Sequence, residues 1–449
     1  MLRSWYAGLL FVIVFSMPLG SYLLGIDLGF INVYAFRVVL LISLILLIWN
    51  RDLKTHVGPL SKNLFHLLIL WFSYGCLSML WSVSLKSSLK DLFYLATGIV
   101  IYLVVVSLLR KAENSFKTVG YAFLCGFAVV NGIALWEIQT GFHFTGPFID
   151  KLNTLAMNHP VNLVPVVTFD NPNNYSTYII LALPIVTFLL KDRWKWSVLT
   201  WPVAFYFIFS TGSRLGMIAF WVLLIGWIGL SYYNPNIKSY LFNMQKTVVG
   251  ILMVIGITGS IFLTNTFEKS NTMGRLGEPI TLEIPSDPHS SGNVRAKLML
   301  NGWDYFWQSA GFGIGAGNFR VYTQRKVTGR DTGTTLNPHS WIVEIASQYG
   351  LLITVLCLLW IGKVFKVFWK HRNYHKDAFY IVEYGLLTTI GYFLVSNSAS
   401  SFIGMPVNWM VLTLLAYFAD KLLTGNLEED MVSRSGNDES LPPHNGTSR

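Results

Sequence analysis

The chain has 449 residues, of which 53% are hydrophobic and only 12% charged. A soluble domain carries about 25% charged residues, so this surface cannot mostly face water. The net charge of +10 would suggest nucleic acid in a soluble protein, but here the apolar residues come in blocks of membrane-spanning length. The position of the charges then matters more than their sum, and the expected partner is the lipid bilayer, not nucleic acid.

Taken in chain order, windows of about 19 residues predict spans at 7–24, 31–49, 64–81, 92–109, 119–136, 176–190, 196–210, 215–232, 247–264, 341–362, 378–396 and 402–419. Blocks of this length fit helices, since barrel strands would give short alternating segments. The first block, Trp5 to Leu24, lacks the short apolar core and small-residue end of a cleavable signal. Cys76, Cys125 and Cys357 each fall inside an apolar block, where they read as small hydrophobes and not as disulfide or metal ligands. The expected fold class is an all-α polytopic membrane protein of about 12 transmembrane helices, with a large extracytoplasmic loop containing short helices.

With the N-terminus inside, the cytoplasmic connections are 50–63, 110–118, 191–195, 233–246 and 363–377, and every one of them carries lysine or arginine. Of the opposite short connections, 25–30 and 397–401 carry neither, and 82–91 carries Lys86 and Lys90. The positive-inside rule selects this orientation, with both termini cytoplasmic. The expected organisation is 1–136 N-terminal transmembrane helices, 137–175 extracytoplasmic loop, 176–264 transmembrane helices with a first arginine motif, 265–340 large extracytoplasmic loop, 341–420 C-terminal transmembrane helices, and 421–449 a disordered polar tail. Within the large loop, Val294, Leu298, Met299, Trp303, Phe306 and Trp307 recur at near-helical spacing. That pattern fits either a helix lying at the membrane interface or a small packed lid helix.

Three outward-facing helix starts stand out. Ser210-Thr-Gly-Ser-Arg214 leads into the eighth span; Ser291-Gly-Asn-Val-Arg295 precedes the amphipathic helix, with Asn293 as its N-cap; Asn337-Pro-His-Ser340 opens the tenth span. There Asn337 is read as the cap, Pro338 as the first helical residue and His339 as part of the first turn. Helix N-termini attract anions, and arginine adds planar donors that can grip two phosphate oxygens. Arg214 and Arg295 therefore read as ligands for a phosphate-bearing substrate. A helix start and nearby arginines disfavour a protonated imidazole, which leaves His339 able to accept a proton near pH 7. Each residue alone has a blander use, the arginines as snorkelling anchors and the histidine as a satisfied hydrogen-bonder.

At these residues the chain resembles the O-antigen ligase and polysaccharide polymerase family of membrane glycosyltransferases. The matching pieces are the Ser210–Arg214 motif, Arg295 with Gly311-Phe-Gly-Ile-Gly315-Ala-Gly317-Asn-Phe319, and Asn337-Pro-His339-Ser running to Gly350. Phe169-Asp-Asn-Pro-Asn-Asn174 is similar to the capsule and teichuronic-acid polymerase branch, and Ser340 stands where many members have Asn. The resemblance covers roughly residues 165–400. It implies a bacterial cytoplasmic-membrane enzyme whose donor is an undecaprenyl-diphosphate-linked oligosaccharide on the outer face and whose acceptor is a glycan or lipid-linked glycan. On this mapping Arg214 and Arg295 bind the diphosphate and His339 is the general base, with no cofactor and no metal. Gly311–Gly317 lacks the flanking strand and Lys-Ser/Thr of a phosphate-cradling loop and reads as a tight turn. Asn171, Asn173 and Asn174 either cap the sixth span or contact sugar, capping being favoured.

Within the family the same residues serve a polymerase or a ligase that moves a finished glycan onto lipid A core, protein or wall; the Asn-Pro-Asn-Asn segment favours the polymerase. A transporter or flippase is the competing class, with Arg37 as the clearest deep charge and Glu344 and Glu383 near span ends. The halves show no repeat, and the charge that stands out clusters at the outer face.

Overall fold

The computed structural model describes residues 2–20, 25–27, 32–143, 164–169, 171–233, 291–333, 335–372, 376–397 and 401–425. The described chain is mostly helical: α1 (Leu2–Ser16), α2 (Ala35–Trp49), α3 (Pro59–Ser78), α4 (Leu85–Lys111), α5 (Ser115–Thr140), α6 (Pro172–Leu189), α7 (Trp194–Ser210), α8 (Arg214–Tyr233), α9 (Ser291–Gln308), α10 (Phe319–Gln324), α11 (Trp341–Lys370), α12 (Lys376–Val395) and α13 (Pro406–Thr424). The only strands among the described residues are the pairs Ile26–Asp27 and Asn32–Val33, joined antiparallel. Of the predicted spans, the one at 247–264 lies outside the described residues, and the other eleven coincide with helices. Among the described residues, α4, α5 and α11 are long and apolar enough to cross a membrane, and several other apolar helices are shorter.

Helix ends differ from the hydropathy windows where local chemistry intervenes. The first helix stops at Ser16 and passes into a 3-10 turn, Met17–Leu19, because Pro18 and the left-handed Gly20 end it. The sixth starts at Pro172, four residues earlier than its apolar block, because Asn171 caps it by accepting from the Asn174 N–H at 3.0 Å. Arg37, the clearest deep charge by hydropathy, falls in the first turn of α2, which begins at Ala35.

One extensive apolar core joins α1–α8 with α11–α13, and a small second cluster of Leu298, Tyr305, Ile314, Phe319 and Val343 fastens α9 and α10 onto the start of α11. Polar contacts mark the two ends of the bundle. At the basic end, Lys111 pairs with Asp52 at 2.7 Å, the Lys54 N–H donates to Ser107, and Asp420 of α13 accepts from the Leu60 and Ser61 N–H groups, both at 2.8 Å. Asp420 thus caps α3 from another helix, and Gly58 leaves room for it, since a Cβ there would sit 2.7 Å from the carboxylate carbon. The opposite end holds the residues singled out by the sequence motifs.

Candidate active site at the histidine end

The first arginine motif folds as expected. Arg214 is the first residue of α8, and Ser213 Oγ accepts from the Gly216 N–H at 3.3 Å, as an N-cap does. Gly216 presses on Ser176 of α6, which ties this start to the Asn171–Asn174 turn. On that turn Asn174 is buried and the Asn173 carbonyl accepts from Thr177 at 2.9 Å, so Asn171 is a cap and the other two asparagines occupy the first turn of α6. Asp170 lies outside the described residues.

The second motif departs from expectation. In the described residues α9 already runs from Ser291, so Asn293 lies inside the helix, buried, and is not its cap. The stripe Leu298, Gly302, Tyr305 packs on α11, and a Cβ on Gly302 would strike Val343. The helix is therefore a packed lid, yet Met299, Trp303 and Trp307 stay exposed on its other face, Trp307 to 72%. The packed-lid reading of the amphipathic pattern holds for the inner face, and the outer face leaves an exposed apolar stripe. Arg295 falls one turn before Leu298 and beside Arg214: burial first, then the charge of Arg214, pull its guanidinium below its usual value. Two partly buried like charges within electrostatic reach of each other suit a multivalent anion.

The third motif is shifted by one turn. Asn337 is not the cap, and His339 is not in the helix. α11 starts at Trp341 with Ser340 as N-cap, its hydroxyl accepting from the Val343 N–H at 3.5 Å and donating to Asn397 at 2.8 Å. His339 precedes the cap with φ 51, in the left-handed region. This conformation costs a non-glycine residue about 1–2 kcal/mol, and such strain concentrates at functional sites. The surroundings hold it: Glu344, buried in the first turn, accepts from Ser401 Oγ and the Phe402 N–H, both at 2.6 Å. Trp341, also buried, packs on Tyr392, Phe393 and Phe402. Sequence reasoning missed Glu344 and Asn397 as supports; the lack of charge in the 397–401 connection was the signal available for the second.

The glycine run is a turn, and its amides are engaged. α11 breaks at Gly350, whose φ of 75 interrupts the helix and frees the carbonyls of Ser347 and Gln348. Ile314 N–H donates to the first at 2.8 Å, Gly315 N–H to the second at 3.2 Å, and Leu351 N–H to Gly311 O at 2.8 Å. Tyr74 and Trp81 of the α3 end secure the other side through the Phe312 and Gly313 carbonyls. The loop clamps the kink; it does not cradle phosphate.

The structure thus sets Arg214 within electrostatic reach of Arg295, and the packing of α9 on α11 seats His339 at the same end of the bundle. Among the described residues no group of His, Cys, Asp and Glu could hold a metal ion. A helical membrane protein with a cationic, histidine-bearing pole is the class this architecture defines. Residues 199–358 match the family profile described as O-Antigen ligase, and these residues include Arg214, Arg295 and His339. Over 433 residues, 91% of this chain and 83% of the relative, the chain is 25% identical to the Teichuronic acid biosynthesis protein TuaE of Bacillus subtilis (strain 168). Over residues 199–358, then, the chain is similar to the O-antigen ligase family.

Proposed function

We propose that the protein is a membrane glycosyltransferase that polymerises cell-surface polysaccharide repeat units carried on undecaprenyl diphosphate, at the outer face of the bacterial cytoplasmic membrane. About twelve helices cross the bilayer, and the histidine end faces out. The observation that carries this reading is the pairing of Arg214 with Arg295 at the end of the bundle where the strained His339 sits. The arginines hold the donor diphosphate. His339 removes the proton of the acceptor hydroxyl as its oxygen attacks the anomeric carbon. The bond from that carbon to the phosphate oxygen breaks, and undecaprenyl diphosphate leaves with the electron pair, its charge balanced by the guanidinium groups. The leaving group is already activated, so no cofactor is called for. The relative's name, a teichuronic acid biosynthesis protein, supports polymer assembly; the matched profile's description supports a ligase as the second reading.

Purified protein incubated with lipid-linked repeat units, with products resolved on a gel, separates these. A ladder is expected. Transfer only to a supplied foreign acceptor would make the protein a ligase, and no product would overturn the enzyme reading. His339→Ala and Arg214→Ala should each insert normally and lower product formation by at least about 100-fold, in line with losing a general base or a charge-stabilising contact.

A further inference from the structure

Arg37 is not used by this mechanism, and its setting is built. Its guanidinium carbon lies 4.8 Å from the Tyr34 ring centroid, 4.9 Å from Phe93 and 5.6 Å from Tyr94. One N–H donates to the Asn32 carbonyl, while Nε is buried with no hydrogen-bond partner among the described residues. No carboxylate among the described residues pairs with it. Three aromatic faces hold the cation in place by charge–quadrupole attraction and leave most of its donors uncommitted. Its place in the first turn of α2 runs against the helix dipole, which favours an anion there.

Two more cations share this face. Lys86 and Lys90 precede Tyr94 at spacings of four and four, so all three lie along one side of α4, and both lysines are exposed and lack an ion-pair partner among the described residues. They are also the two lysines that go against the positive-inside pattern. The group stands at the histidine end: Tyr94 abuts Gly404, whose N–H donates to Ser401, and Ser401 donates to Glu344 in the first turn of α11. It approaches that end through α2, α4 and the 401–404 turn, whereas Arg214 and Arg295 approach through α6, α8 and α9.

We propose that Arg37, with Lys86 and Lys90, binds the lipid diphosphate of a second substrate, the acceptor. The proposal rests on the glycosyltransferase reading and assigns the acceptor's class as another lipid-linked oligosaccharide. Geometry requires such an offset. The donor's phosphate is bonded to the reacting carbon and must adjoin the base. The acceptor's reacting hydroxyl is at the far end of its sugar chain, so its phosphate is anchored about one repeat unit away, at the same membrane level. A ligase with a lipid-free acceptor has no use for this second anchor.

The test uses the full chain in nanodiscs with undecaprenyl diphosphate as probe, counting bound equivalents by native mass spectrometry. Wild type should bind two. Arg37→Gln should lose one, Arg214→Gln with Arg295→Gln should lose the other, and Arg37→Lys should retain both. A single equivalent on wild type, two on Arg37→Gln, or equal displacement by phosphatidylglycerol would overturn the proposal. In the transfer assay, Arg37→Gln should lower the ratio of kcat/KM for lipid-linked over lipid-free acceptor by about ten-fold, as expected for one lost charged contact of about 1.4 kcal/mol; an unaltered ratio would overturn it too. Two bound equivalents on a protein that transfers no sugar would leave the second site standing and remove the glycosyltransferase reading. Transfer with one equivalent bound would do the reverse.

Discussion

At the scale of residues, the point of interest is the backbone of His339. A left-handed φ of 51 is tolerated by histidine but is natural only to glycine. Replacement by glycine should therefore raise thermal stability in detergent by about 1 kcal/mol relative to His339→Ala, which keeps the strain. Both variants should be equally inactive, and an equal melting temperature would show that the strain is not there. The histidine itself was legible from Asn337-Pro-His-Ser, but its conformation was not. Asn337-Pro looked like a helix start by local rules; the structure caps with Ser340, whose hydroxyl reaches Asn397, 57 positions away. A local rule cannot see that partner. Glu344 was visible as a charge near a span end, but its supporting role was not, because its partners Ser401 and Phe402 come from another connection.

At the scale of elements, the break in α11 and the glycine run belong together. A Cβ on Gly350 would meet the Phe312 carbonyl carbon at 2.6 Å, and one on Gly313 would meet the Gly350 nitrogen at 2.7 Å. Both positions also have positive φ, at 75 and 84. Gly350→Ala and Gly313→Ala should each destabilise the protein by on the order of 2–4 kcal/mol, read as loss of the folded peak in detergent size-exclusion and a lowered Tm. Gly329→Ala makes the contrast, since no atom stands within 4 Å of a Cβ there and only its φ of 74 is strained; its cost should stay near 1 kcal/mol. The turn was readable from composition. That its N–H groups serve carbonyls released by a kink in a distant helix was not, because the kink itself looks like one apolar run in the sequence.

At the scale of the whole molecule, apolar blocks alone located eleven of the twelve predicted spans as helices, since burial in lipid or core needs the same residues in either case. Which helices cross the bilayer, and in which sense, rests on charge. Lys54, Lys111 and Asp420 share the basic end with the Arg51 connection, while His339 and the aromatic supports lie at the other. Alkaline phosphatase fused after Gln308 should therefore be active, and the same reporter fused after Arg372 silent; the opposite pattern would invert the proposed orientation. Helix starts were the least legible feature, because Asn171, Ser213 and Ser340 all cap by hydroxyl or amide groups that hydropathy does not register.

The two faces of α9 carry one more consequence. In the proposed orientation, a lid that packs through Leu298 and Tyr305 but turns Met299, Trp303 and Trp307 outward would rest on the lipid surface as a float rests on water. Its height, and with it that of Arg295, is then set partly by the thickness of the surrounding leaflet. On the proposed function the bilayer would then be a component of the site, and transfer should be slower in micelles, which offer no flat surface to bear on, than in nanodiscs.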